Sequence, residues 1–250
     1  MTGPRRVAVL SDVHGNVPAL RAVLAEVAEE EPDLIVFTGD LTWGPEPEST
    51  VEIVMALGDR AVFVRGNADR AVVELARGVR APDGERDEWM PAQHSPGSVE
   101  FLAGFPLSVA VDVVGLGPVR FCHGSPRGDT ELVTPGTPAE RFEELAASID
   151  ETVLVTGHTH LQFDRRVAGR RSVNPGSVGL PYHEGEPGTA YWALLGPDVA
   201  LRSTRYDVEE AIARCRAVGD PRADRIESLL RTPPTPAEII AHAEGLDFSD

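Results

Sequence analysis

The chain has 250 residues, with 23 basic and 40 acidic side chains and a formal charge of −17, which excludes a broad basic face for nucleic-acid phosphates. Every basic residue is Arg, which removes lysine Schiff-base chemistry and any phosphate loop built on a lysine. Apolar runs are strand-sized, such as Leu34 to Phe37, against the roughly 20 residues of a membrane span, so no membrane partner is expected.

Met1 to Arg6 is charged, and the apolar stretch Val7 to Leu10 is too short for the core of a signal peptide. Cys122 and Cys215 give neither a disulfide framework nor a CxxC pair, so the cytoplasm is the expected compartment. Val7 to Leu10, Leu34 to Phe37 and Val62 to Val64 read as strands with a helix in each gap. That β-α-β-α-β opening predicts an α/β protein, its sheet parallel or mixed with helices outside. Val17, Leu20, Val23, Leu24 and Val27 share one face of the first helix, and the second is expected from about Ser49 to Gly58. A helix from Asp69 to Ala76 precedes a charged, Pro- and Gly-rich stretch from Gly78 to Gly97, which reads as a long surface loop. Strands are then expected at 109–114, 119–122, 153–156, 172–174, 190–195 and 199–204, with one helix near 138–147. Six strands with few helices predict a second sheet. From Asp207 the texture is helical, with capping boxes at Asp207 to Glu210 and Thr235 to Glu238. The expected division is a domain over residues 1–206 and a helical appendage over 207–250, the latter a surface able to serve a partner or a homo-oligomer.

Polar residues concentrate where strands end. Strand one runs into Ser11-Asp12-Val13-His14-Gly15-Asn16, strand two into Thr38-Gly39-Asp40 and strand three into Arg65-Gly66-Asn67, the edge at which open α/β sheets place ligands. Two later strands end in Cys122-His123-Gly124 and Gly157-His158-Thr159-His160. Singly, an Asp after a strand caps a helix, and a His fills a core or surface position. Jointly, two Asp, one Asn and four His at five strand ends would be a costly buried polar cluster unless cations neutralise the carboxylates and take up the imidazole lone pairs. Nitrogen and oxygen donors suit Mn²⁺, Fe, Zn²⁺ or Ni²⁺ over Cu⁺, and several imidazoles oppose Mg²⁺ or Ca²⁺ alone.

The ordered motifs Asp-x-His, Gly-Asp, Gly-Asn, His-Gly and Gly-His-x-His between residues 12 and 160 resemble those of the calcineurin-like metallophosphoesterase superfamily. Arg171 to Gly179 is similar to its small bacterial and archaeal phosphodiesterase branch. The resemblance implies a four-layer α-β-β-α sandwich of two mixed sheets, and two divalent metals, Mn²⁺ first among them. It implies Asp12, His14 and His160 on the first metal, Asn67, His123 and His158 on the second, and Asp40 bridging both. A hydroxide bridging two such ions attacks phosphorus in line without a protein nucleophile, here on a small soluble phosphate ester.

Two departures narrow the expectation. Many relatives carry a His directly after the Asn of the third motif to protonate the leaving group, whereas this chain has Ala68. The small phosphodiesterase branch lacks that His too, so esters with acidic leaving groups are expected, and His94 is the candidate replacement acid. No Arg follows Gly39-Asp40 as it does in protein phosphatases, which leaves Arg127 and Asn174 as candidates for gripping phosphate. A phosphodiesterase is the leading expectation. The alternatives are a phosphomonoesterase or protein phosphatase, and a non-catalytic metal-binding scaffold.

Overall fold

The computed structural model describes residues 3–249. β1 (Val7–Leu10), α1 (Val17–Glu29), β2 (Leu34–Phe37), α2 (Pro47–Met55) and β3 (Ala61–Phe63) open the chain, with β1, β2 and β3 paired in parallel. Three helices follow: α3 (Asn67–Ala76), α4 (Glu85–Trp89) and α5 (Pro96–Ala103). The next elements are β4 (Ser108–Val113), β5 (Gly117–Cys122), α6 (Ala139–Leu145), β6 (Val153–Val155), β7 (Gln162–Val167) and β8 (Arg170–Pro175). β9 (Thr189–Leu195), β10 (Val199–Arg205), α7 (Val208–Val218), α8 (Ala223–Arg231) and α9 (Pro236–Gly245) complete the order. The strands form two mixed five-stranded sheets, ordered β10-β9-β1-β2-β3 and β4-β5-β6-β8-β7.

Side-chain alternation along the strands builds the layers. Val7 and Val9 of β1 meet Val119, Phe121, Val155 and Val173 of the other sheet in an apolar inter-sheet core. The intervening Ala8 and Leu10 point outward, where Leu20 and Val23 of α1 cover them. On the far side, Cys122, Leu154 and Phe163 meet Phe142 and Leu145 of α6. Buried on both faces, β1 and β2 are continuous apolar runs. The result is the expected α-β-β-α sandwich, with Cys122 in the core.

Four local expectations are corrected. The stretch from Gly78 to Gly97 is not one long loop: α4 and a 3-10 turn over Met90–Gln93 lie within it, where Met90 is fully buried in the first core and Arg80 pairs with buried Asp87 at 2.9 Å. Ser95 then caps α5, its hydroxyl accepting from Ser98 N. α2 begins at Pro47 rather than Ser49, since Pro has the φ of a first helical turn and no N–H to leave unpaired. β9 and β10 do not extend the second sheet: β9 lies antiparallel to β1. β7 went unread because its hairpin to β8 turns on Ala168 and Gly169, both at positive φ, where Asn-Gly is the usual signal.

The C-terminal helices turn apolar faces onto the chain itself. Ile212, Cys215, Ile226 and Leu230 of α7 and α8 pack with Leu180 and Tyr206, and Ile239 and Ile240 of α9 join the α6 cluster. Leu132 N donates to Phe248 O at 2.8 Å, which ties the chain after α9 to the segment following His123. Among the described residues, no helix is long and apolar enough to cross a membrane.

Candidate metal centre

The parallel strands β1, β2, β5 and β6 all end at one edge, and so do the residues that follow them. Asp12, His14 and His160 bring donor atoms within 4.8 Å of one another, and so do Asp40, His123 and His158. His14 Nε2 and His160 Nε2 are 3.1 Å apart, and Asp12 Oδ1 lies 3.3 Å from His160 Nε2. In the second cluster His123 Nε2 is 2.9 Å from Asn67 Oδ1 and 3.2 Å from His158 Nδ1. Asp40 Oδ2 faces both clusters, 3.7 Å from His14 Nε2 and 3.4 Å from His123 Nε2. All seven expected ligand positions therefore converge on one place.

The local backbone is shaped for this. Asp12, His14, Asp40, His158 and His160 all have positive φ, between 48° and 65°. Non-glycine residues adopt that region at a cost, and such residues cluster at functional sites. Two glycines make room. Gly39, at φ 97°, passes so close to the His123 ring that a Cβ would lie 2.6 Å from Nδ1. A Cβ on Gly66 would overlap the Asp40 carboxylate.

The donor set fits cations. His123 Nδ1 lies 2.8 Å from Thr38 O and His160 Nδ1 lies 2.6 Å from Leu180 O, so both Nδ1 atoms carry the proton and donate it. In the neutral rings each Nε2 lone pair then points into the site. Buried His14 Nδ1 and Asp12 Oδ1 have no hydrogen-bond partner. If His14 carries its proton on Nε2, Nδ1 is an orphaned acceptor; if on Nδ1, two lone pairs face each other across 3.1 Å. Without a cation, a side chain has to carry the compensating positive charge: burial opposes protonation of His123, but the Asp40 carboxylate holds its pKa up at about 10. Burial pushes His14 down to about 4. Asp12 is opposed by its own burial yet drawn below the usual carboxylate range by His160.

Asp69 supports the arrangement. It is fully buried and accepts from Asp40 N at 2.9 Å, Leu41 N at 3.0 Å and Gly66 N at 3.0 Å. One carboxylate thus pins the turn after β2 to the turn after β3. Burial, then the neighbouring Asp40, raises its pKa to about 7.

The remaining candidates are engaged in other contacts. Arg127 is exposed and paired with Glu131. Asn174 is fully buried, donating to Gly157 O at 2.8 Å and Thr159 Oγ1 at 3.1 Å, so it holds the loop that carries His158 and His160. His94 lines a separate cavity with Arg77, Pro91 and Pro96, its Nδ1 2.9 Å from Met90 O. A cleft of about 370 Å³ beside His14 and Asp40 is lined instead by Trp43, Ala68, Arg70 and Arg80. Arg70 was legible, standing three residues past Asn67 on the same helix face. Arg80 was not, since it falls in the stretch that reads as loop.

Two mixed sheets whose shared edge gathers two adjoining clusters of nitrogen and oxygen donors define a protein of the metallophosphoesterase class. The chain belongs to the calcineurin-like phosphoesterase superfamily, whose domain matches residues 6–195. Phosphodiesterase YfcE of Escherichia coli is 28% identical over 200 residues, covering 76% of this chain and 86% of that protein. Uncharacterized protein MJ0912 of Methanocaldococcus jannaschii is 25% identical over 227 residues, covering 82% of this chain and 89% of that protein. The crystal structure of a metallophosphoesterase from Sphaerobacter thermophilus aligns with a TM-score of 0.72 at 26% identity, covering 90% of this chain and 97% of that one.

Proposed function

We propose that the protein is a dinuclear metal-dependent phosphodiesterase acting on a small phosphate ester. The observation that carries this reading is Asp40 Oδ2, which faces the donors of both clusters. Asp12, His14 and His160 would hold one divalent ion, Asn67, His123 and His158 the other, and Asp40 both. When bound, two such ions lower the pKa of a coordinated water and neutralise charge on the phosphoryl oxygens. Mn²⁺ is the first choice among Mn²⁺, Fe, Zn²⁺ and Ni²⁺, all suited to this donor set. Thr38 O and Leu180 O fix the tautomers and ring planes of His123 and His160. The name of YfcE supports a diester over a monoester. The absence of an Arg after Asp40 also supports it over a phosphoprotein. Residues 1–206 are read as the catalytic unit and 207–250 as a wall built onto it. Two free, buried cysteines agree with a reducing cytoplasm.

Chelator-treated protein with Mn²⁺ restored should hydrolyse bis(4-nitrophenyl) phosphate at least about 10-fold faster than 4-nitrophenyl phosphate. Mn²⁺ at about 100 times its Kd should also stabilise the fold by about 2.7 kcal/mol, seen as a Tm increase of roughly 5–10 °C. A folded protein that turns over neither ester with any of the four metals would leave the scaffold reading standing.

Ala68 lines the cleft but has no proton to give, so the leaving group departs as an anion or takes its proton from water. Ala68→His is therefore expected to raise kcat/KM for alkyl diesters by about 10-fold or more, within the range of general-acid effects, and to leave nitrophenyl esters unchanged. A slope of log kcat/KM against leaving-group pKa as steep in the variant as in the parent would refute this.

A further inference from the structure

Trp43 stands on the wall between two clefts. One, of about 370 Å³, opens onto His14 and Asp40. The other, of about 340 Å³, is lined by Asp83 to Asp87 at the start of α4 and by Pro221 and Arg222 between α7 and α8. Trp43 has φ 68°, a conformation that a bulky residue keeps only when its surroundings hold it there. The holder is visible. Arg86 Nη2 donates to Trp43 O at 3.2 Å and to Asp220 Oδ2 at 2.8 Å. The Asp220 side chain is 0% exposed and that of Arg86 16%. Asp220 is itself fixed, its Oδ1 accepting from Arg222 N at 2.8 Å ahead of α8. A buried ion pair of this kind repays its desolvation poorly as a source of stability, but it sets geometry.

We propose that Trp43 is the platform for a planar aromatic ester group of the substrate, and that Arg86 and Asp220 are positioning residues that make the C-terminal helices part of that subsite. This rests on the phosphodiesterase reading for the chemistry next door. Trp43 packs against the first core and also lines the cleft, and an aromatic ring in a cleft wall is a surface on which a nucleobase or aryl group can stack. Arg70 and Arg80 line the same cleft, Arg70 held there by Asp129 and Glu74 and Arg80 by Asp87. The class of substrate is therefore a phosphate ester bearing a planar ring rather than a simple alkyl or sugar phosphate.

Calorimetric binding of 5′-AMP and of methyl phosphate to Mn²⁺-loaded protein tests this without turnover. The parent should bind 5′-AMP about 10-fold or more tightly than methyl phosphate, the size of one base–aromatic stack. Trp43→Ala should abolish that preference, bringing 5′-AMP to the affinity of methyl phosphate. Asp220→Asn should lose most of the preference in the parent and nothing further in the Trp43→Ala background. Arg86→Gln, which breaks the same link from the other side, should reproduce the result if Asp220→Asn folds poorly. Equal binding of the two probes by the parent would overturn the proposal. So would an Asp220→Asn loss of equal size with and without Trp43. Failure of the phosphodiesterase reading shows separately, as absent Mn²⁺-dependent turnover.

Discussion

Asp40→Asn is expected to lower Mn²⁺-dependent diester turnover by about 10³-fold or more, equivalent to about 4 kcal/mol of barrier. The substitution suits the test because Asp40 divides its two oxygens between different tasks. Oδ1 accepts from Ala68 N at 2.9 Å, which an amide oxygen can still do, so the start of α3 keeps its anchor. Oδ2 faces both donor clusters, and there the amide brings N–H donors and no charge. The variant should fold, bind fewer than two ions per chain by elemental analysis, and lose turnover with every diester alike. Retention of two tightly held ions and of activity within 10-fold of the parent would remove Asp40 from the bridging role.

Asp69→Ala is expected to cost about 3–5 kcal/mol of stability, a Tm loss of roughly 10 °C in a chain of this size. Asp69 has no exposure to solvent, and its three backbone donors lie on two different turns. Truncation leaves those N–H groups buried without partners, and water cannot replace a carboxylate there without opening the turn. Thermal unfolding of metal-free protein measures the loss apart from any effect on ion binding. A Tm within 2 °C of the parent would show that the turns after β2 and β3 hold themselves.

The legible part of the molecule was the part governed by short-range pattern. Val7 to Leu10 and Leu34 to Phe37 are apolar on both faces, and Asp12 and Asp40 follow two and three residues after them, so strand and donor could be read together. His123 and His158 stand at strand ends in the same way. The cleft wall was illegible because tertiary contacts create it. Met90 and the Arg80–Asp87 pair hold the segment around α4 in helical form despite its loop-like composition. Arg86 joins Trp43 to Asp220, which lies between α7 and α8 and far along the chain from both. Asn174 drew attention by its chemistry, but its neighbours Gly157 and Thr159 assign it to the loop. Nothing in the local sequence gave that pairing.

Neither donor cluster belongs to one sheet. Asp12 and His14 follow β1 whereas His160 follows β6, and Asp40 follows β2 whereas His123 and His158 follow β5 and β6. The first sheet also depends on the end of its own domain, since β9 returns to pair with β1 after the second sheet is complete. Bound ions would act as rivets through a laminate, gripping each layer at one edge and resisting slip of one sheet over the other. Ion affinity then gauges how well the two halves are seated. A chain whose sheets have formed but not yet docked would hold neither ion, so hydrolytic competence comes at the last stage of assembly.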